Sequence, residues 1–293
     1  MSNREIGRFL FVVFTLGLGA QCAAIASGGA TPSGGWLRLA MWAPAVAVLT
    51  SRSARRLAWG AIRRSGGIWL PLALLVGWSL VLVQNALLFT TGGGTWNEKL
   101  FSTNPDGTGI AAVNGVAMVL GVGPQSYGFF SLNLLVTLTI GSLLVGVLGG
   151  VGEELGWRAV LQPALEDRFG ATRSRVIVGV IWAYWHLPVN LAGYNDPAHP
   201  LLNTLLFFPL VVLAMAFSFG WLTRRSSSVW PAAIAHGANN IINTGFLLTP
   251  RSWAWDTTTA LAAAAIVGGL FAAMTVRRAS SDVAPAPAAA IGA

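Results

Sequence analysis

Glu153 and Glu154 are neighbours, and Arg158 follows one helical turn after Glu154. The three sit at the end of a long apolar run, in a chain with only 10 Asp and Glu among 293 residues. Charge placed there is costly, and in membrane proteins it marks a working site. On a helix Glu154 and Arg158 share a face in the favourable Glu-first order, while Glu153 is turned about 100° away. One carboxylate is then held by the arginine and the other faces a different surface. Taken alone, the stretch reads equally well as a salt-bridged helix end.

Two further clusters join it. Trp182-Ala183-Tyr184-Trp185-His186-Leu187-Pro188 puts an imidazole deep in a later apolar run, about 16 Å by helical rise from the preceding basic loop. Pro188 interrupts the helix nearby and frees backbone groups that must be satisfied inside a bundle. His236-Gly237-Ala238-Asn239-Asn240 puts a second imidazole and Asn240 on one face, with Asn243 close to it. Taken singly, His186 reads as a hydrogen-bonded core residue, and His236 with Asn240 as polar glue between helices. The third histidine, His199, stands beside Pro200 in a turn-rich loop and reads as surface. Taken together, a carboxylate and an imidazole can hold and deprotonate a water. A second histidine with an asparagine can donate hydrogen bonds to a developing oxyanion. Such a set can hydrolyse a peptide bond inside a bilayer. Glu153, His186 and His236 also make an open set of two histidines and one carboxylate of the kind that binds zinc. The cofactor is therefore either a divalent metal such as zinc or none. The soluble zincin pattern H-E-x-x-H is absent.

The elements that must position these residues are transmembrane helices. The chain is 54% hydrophobic and 10% charged, with a mean hydropathy of +0.64. A soluble protein carries about a quarter of its residues as charges. The net charge of +8 does not point to nucleic acid, because the basic residues cluster in short loops between apolar runs. The single cysteine, Cys22, excludes an internal disulfide and any multi-Cys metal site; it reads as a small packing residue.

The apolar pattern predicts an all-α polytopic membrane protein of about eight helices, over 9–26, 36–50, 68–89, 131–165, 176–191, 201–222, 229–248 and 254–276. The first is about 18 residues, spanning length rather than signal-peptide length. The second is short and carries Arg38 near its start. Pro163 is the expected kink in the fourth. Residues 90–130 are Gly-rich, and 110–122 within them read as a re-entrant or interfacial element. The tail, 279–293, is rich in Ala, Pro and Ser and is expected to be disordered. The organisation predicted is N-terminal helices with a basic inner loop and a Gly-rich outer loop (1–130), a catalytic core (131–250), a final helix (251–278) and the tail. With both termini cytoplasmic, fifteen of the eighteen Lys and Arg fall inside, leaving only Arg38, Lys99 and Arg251 outside, as the positive-inside rule asks. Gly146-x-x-x-Gly150 and Gly152-x-x-x-Gly156 read as helix contacts, within the chain more naturally than between chains.

At these residues the sequence resembles the CAAX protease and bacteriocin-processing (CPBP, or ABI) family of intramembrane proteases. The family pattern is E-E-x-x-x-R, F-x-x-x-H and H-x-x-x-N/D. Glu153-Glu154-x-x-x-Arg158, Trp182-x-x-x-His186 and His236-x-x-x-Asn240 are similar to it, in order and on successive segments. The Glu-Glu-Leu-Gly-Trp-Arg and Trp-His-Leu-Pro segments are similar to the bacterial branch. Trp182 stands where the pattern has Phe, and Ala159 where Gly often follows the arginine. The resemblance implies that Glu153 activates water with His186, that His236 and Asn240 stabilise the oxyanion, and that Glu154 and Arg158 orient the site. It leaves open a metal held by Glu153, His186 and His236 or a glutamate mechanism without one. The implied partners are a membrane-associated peptide or protein substrate and the lipid bilayer, with no nucleic acid, and the implied location is a bacterial inner membrane. A non-proteolytic membrane binding or immunity factor is the alternative, and a transporter a third reading.

Overall fold

The computed structural model describes residues 1–28, 35–112, 118–242 and 248–281, without the side chains of 278–281. Asn243 and nearly all of the predicted tail lie outside the described residues. The protein is an integral membrane protein built mainly of helices. Among the described residues, five helical stretches are long and apolar enough to cross a membrane: Asn3–Ala26 (α1), Trp69–Thr90 (α4), Tyr127–Trp185 (α5), Pro200–Ser226 (α7) and a fifth within α9, Trp253–Ser281. Between them lie Gly35–Ala47 (α2), Arg52–Ile62 (α3), Leu187–Leu191 (α6) and Trp230–Ile241 (α8).

Local chemistry starts and stops these elements. Ser2 and Glu5 form a reciprocal capping box at α1, with Ser2 N–H donating to Glu5 Oε2 at 2.7 Å. Ser51 caps α3 by accepting from Ala54 N–H at 3.0 Å. The basic loop expected after α2 is therefore a helix. Cys22 is exposed on α1, not packed.

The predicted fourth and fifth spans are the two helices joined within α5. Its bend is at Gly170, whose φ of 75° and ψ of 169° are open to glycine alone, and not at Pro163. The five residues before Gln162 form a wide π-helical turn, 157–161. That turn removes the carbonyl clash and the lost hydrogen bond that a proline imposes on a regular helix. Two more π-turns, 137–141 and 146–150, precede the Glu-Glu stretch. The predicted span 176–191 ends at Trp185, where His186 leaves helical geometry before Pro188 (φ −84°, ψ 7°).

Two predictions fail. Helix α8 has 12 residues, not the twenty of 229–248; Ile242 is extended and Leu248–Pro250 (β5) is a strand. Asn239 and Asn240 weaken the helix where it ends. Of the element expected over 110–122, residues 110–112 lie in a strand of a small sheet, 118–122 are turn and irregular backbone, and 113–117 lie outside the described residues. Gly94–Trp96 (β1) pairs antiparallel with β5, and Phe101–Thr103 (β2), Gly109–Ala112 (β3) and Gly123–Ser126 (β4) form a three-stranded antiparallel sheet in the order β2-β3-β4. The turn between β2 and β3 is Asn104-Pro105-Asp106-Gly107. Asp106 accepts from the Thr108 N–H at 3.0 Å, and Gly107 adopts φ 71°, the ordinary chemistry of a hairpin.

The glycine pairs work within the chain. A Cβ on Gly146 or Gly150 would lie 2.7 Å from the Ala233 carbonyl, and one on Gly156 would lie 2.3 Å from Pro44 Cβ. Helix α5 is thereby pressed between α8 and α2, with the two glutamates on the stretch between those contacts.

Candidate active site

The π-turn and the regular turn before it set the two glutamates apart. Glu154 is fully buried; its Oε1 accepts from Arg158 Nη1 at 3.2 Å and from His236 Nδ1 at 2.8 Å, and its Oε2 is 3.2 Å from Arg158 Nε. The predicted pairing of Glu154 with Arg158 is present, and His236 joins it from α8. Glu153, 2% exposed, turns elsewhere. Its Oε2 accepts from the indole N–H groups of Trp182 at 2.5 Å and Trp157 at 3.3 Å.

The imidazoles have defined tautomers. The Trp182 carbonyl can only accept, so His186 Nδ1 carries the hydrogen in their 2.9 Å contact. An ionised Glu154 likewise requires a hydrogen on His236 Nδ1. In both rings Nε2 is left for other chemistry. The rings flank Trp182, with centroids 6.3 Å (His186) and 5.5 Å (His236) from it. The Arg158 guanidinium lies 4.2 Å from the same indole and 5.4 Å from Phe219, within cation–π range.

Trp182 is thus the hub, touching Glu153, Arg158 and both histidines. In the sequence it is only an aromatic four residues before His186; its N–H donor role has no signal in the pattern. Trp157 is a second donor of the same kind. Tyr194 lies on the turn after α6. Burial pushes its phenol up, and the Glu153 carboxylate pushes it further the same way.

Asn240 stands apart. It is exposed on the last turn of α8, four residues beyond His236, and makes no hydrogen bond to Glu153, His186 or His236. His199 stacks on Trp253 with centroids 4.0 Å apart and lies 3.7 Å from Asp196, away from the carboxylates. Among the described residues, no three His, Cys, Asp or Glu side chains form a group that could hold a metal ion. Glu153, His186 and His236 in this arrangement therefore do not fit a three-ligand zinc site.

Depth follows from the helix. Glu166 pairs with Arg224 at 2.8 Å and lies 3.9 Å from Arg175, at the arginine-rich end. Glu154 precedes Glu166 by twelve residues, or about 18 Å of helical rise. That is about half the thickness of a hydrocarbon layer of about 30 Å.

Residues 134–242 match a family model described as Type II CAAX prenyl endopeptidase Rce1-like. All six predicted site residues fall inside the match. A curated relative, CAAX prenyl protease 2 of Methanococcus maripaludis, is 26% identical over 104 residues, which are 34% of this chain and 38% of that protein. The chain thus spans under two fifths of that relative, and α1 to α4 and α9 lie outside the family match.

Proposed function

We propose that this protein is an intramembrane endopeptidase that hydrolyses a peptide bond of a membrane-associated peptide or protein. The observation that carries the reading is Glu153. It is a buried carboxylate near mid-membrane, fixed through one oxygen by two indole donors and flanked by two imidazoles whose Nε2 atoms are uncommitted. The family match and the relative's name support the same class.

In this mechanism Glu153 Oε1 and His186 Nε2 hold the attacking water. Glu153 takes its proton as the water oxygen adds to the scissile carbonyl carbon. The charge that develops on the carbonyl oxygen is met by His236, donating through Nε2–H as an imidazolium whose Nδ1–H is anchored on Glu154. Asn240 joins from the substrate side, where its exposed amide is free to meet a bound chain. Arg158 balances Glu154 and so keeps the second carboxylate out of proton transfer. Glu153 then returns its proton to the leaving amine as the C–N bond breaks. No step passes through a metal.

The arginine-rich end, which gathers the loops at 63–67, 168–170 and 224–228, faces the cytoplasm in this reading, with both termini there. The bacterial inner membrane fits the Glu-Glu-Leu-Gly-Trp-Arg and Trp-His-Leu-Pro segments. Thiol labelling of Ser65→Cys and Lys99→Cys from opposite sides, in a Cys22→Ala background, checks the orientation; labelling of both from one side refutes it.

The test of the activity is cleavage of a bilayer-anchored fluorogenic peptide by full-length protein in proteoliposomes. Glu153→Gln is expected to lower turnover about 10² to 10⁴-fold, the range for loss of a general base. Equal turnover removes Glu153 from the role given to it.

A further inference from the structure

Helix α3 carries Arg52, Arg55 and Arg56 on its outer side, and Arg63 and Arg64 follow it. Its inner side, Ala54 and Ala58, is buried in the core that includes Val160 and Leu161 of α5. The helix is thus fixed to the bundle by small residues while its arginines stay exposed. Among the described residues none of these five arginines is in a salt bridge. Glu5 of α1 accepts a hydrogen bond from the Ser2 N–H at 2.7 Å.

Beside α3 is a groove of about 640 Å³ with two kinds of lining. Val48, Leu49, Trp59 and Ile62 give it an apolar wall, and Arg52, Arg55 and Arg56 a cationic one, with no acidic residue in the lining. Leu49 is 65% exposed and Trp59 54% exposed, so the apolar wall is open and not a piece of the core. Arg55 is aimed by a 2.9 Å hydrogen bond from its Nη1 to the Leu49 carbonyl, and Arg63 lies over the Trp59 ring at 4.7 Å. The groove lies at the arginine-rich end, where α1 begins and α2 ends, at the boundary between hydrocarbon and headgroups. Tryptophan with arginine is the pairing that boundary favours.

We propose that this groove binds one anionic phospholipid, with its phosphate among Arg52, Arg55 and Arg56 and its acyl chain along Leu49, Trp59 and Val48. Charge complementarity selects the occupant. Three guanidinium groups that form no salt bridge among the described residues line a space that also offers an apolar wall, which suits a phosphate carrying a hydrocarbon chain and not a free phosphate. The proposal does not depend on the protease reading.

The test is native mass spectrometry of the full-length protein in detergent, titrated with phosphatidylglycerol, with phosphatidylcholine, and with phosphatidylglycerol plus millimolar inorganic phosphate. One phosphatidylglycerol is expected to be retained in preference to phosphatidylcholine and not displaced by phosphate. Arg52→Gln/Arg55→Gln/Arg56→Gln is expected to weaken that retention about tenfold or more, while the triple Lys variant keeps most of it. Arg55→Gln alone, a milder change, is expected to give an intermediate loss and guards against misfolding of the triple variant. Equal retention of the two lipids, or unaltered phosphatidylglycerol retention in both Gln variants, overturns the proposal. Displacement by inorganic phosphate assigns the site to phosphate alone and overturns the lipid.

Discussion

Glu154→Gln tests whether the second glutamate is a charge held in place or a spare base. The substitution keeps the shape and one acceptor, so no cavity opens and its effect is electrostatic. Glu154 and Arg158 side chains are both 0% exposed, with contacts of 3.2 Å from each of two guanidinium nitrogens. Removing one partner of such a pair leaves the other buried and uncompensated, which costs about 3–5 kcal/mol. Part of the Arg158 charge remains met by the Trp182 and Phe219 faces at 4.2 and 5.4 Å, which places the expected loss toward the lower end, about 3 kcal/mol. Adding Arg158→Met removes the stranded cation, so the double variant is expected to be more stable than Glu154→Gln alone, within about 2 kcal/mol of the parent. Unfolding in mixed micelles, followed by tryptophan fluorescence, reads both values. Activity should separate from stability: the double variant regains its fold but stays impaired, because His236 has lost its anchoring carboxylate at 2.8 Å. Additive losses in the double variant, or a Glu154→Gln protein as stable as the parent, would refute the reasoning.

Trp182→Phe keeps the ring over Arg158 but deletes the 2.5 Å donor to Glu153. A hydrogen bond to a charged group is worth about 1.5–3 kcal/mol, so kcat is expected to fall about ten- to hundredfold with KM little changed, and an unaltered kcat removes the indole from the positioning role. Gly237→Ala would place a Cβ 2.2 Å from Gly146 N and 2.3 Å from the Ser142 carbonyl. It is expected to destabilise by about 3 kcal/mol in the same micelle assay, whereas Gly269→Ala, which meets nothing within 4 Å, should be neutral or slightly stabilising; equal effects would show that the α5–α8 contact is not tight. Burial pushes the Asp196 carboxyl up, but hydrogen bonds from the Trp253 indole and from the His199 and Ala198 N–H groups outweigh it and hold the group below its ordinary range. A depressed folded value adds stability above the unfolded value near about 4, and that stability is lost as pH falls through the folded value. Asp196→Asn should therefore be less stable than the parent at pH 7, with the gap closing under acid; a gap constant with pH contradicts this.

Much of the site was legible because helical spacing carries it. Glu154 and Arg158 are four apart, and the structure pairs them; His186 and His236 stand in apolar runs that the structure makes helical, although the second run is a 12-residue helix and not a span. The departures share a physical cause: apolar pattern reports burial or lipid exposure but not where backbone geometry changes. Residues 229–248 are apolar enough to span, yet α8 ends at Ile241, after two asparagines whose effect a hydropathy run does not weigh. Pro163 is a breaker by rule, but the π-turn ahead of it accommodates the ring, and Gly170 bends the chain in its place. The five arginines after α2 read as a loop because charge ended the apolar run, although Ala54 and Ala58 repeat at helical spacing between them.

The Trp182 position shows a different limit. Its aromatic character is explicable by stacking alone: a phenyl ring would serve equally well over Arg158 and between the two imidazoles. The indole N–H adds what Phe cannot, a donor to Glu153 from the residue whose own carbonyl fixes the His186 tautomer at 2.9 Å. One residue therefore constrains Glu153 through its side chain and His186 through its backbone. Spacing could place Trp182 beside His186, but only the turn of α5 that aims Glu153 away from Arg158 makes the indole its neighbour. The two adjacent carboxylates are separated, Glu154 toward Arg158 and His236 and Glu153 toward Trp157 and Trp182, and in the proposed mechanism that separation leaves a single working base.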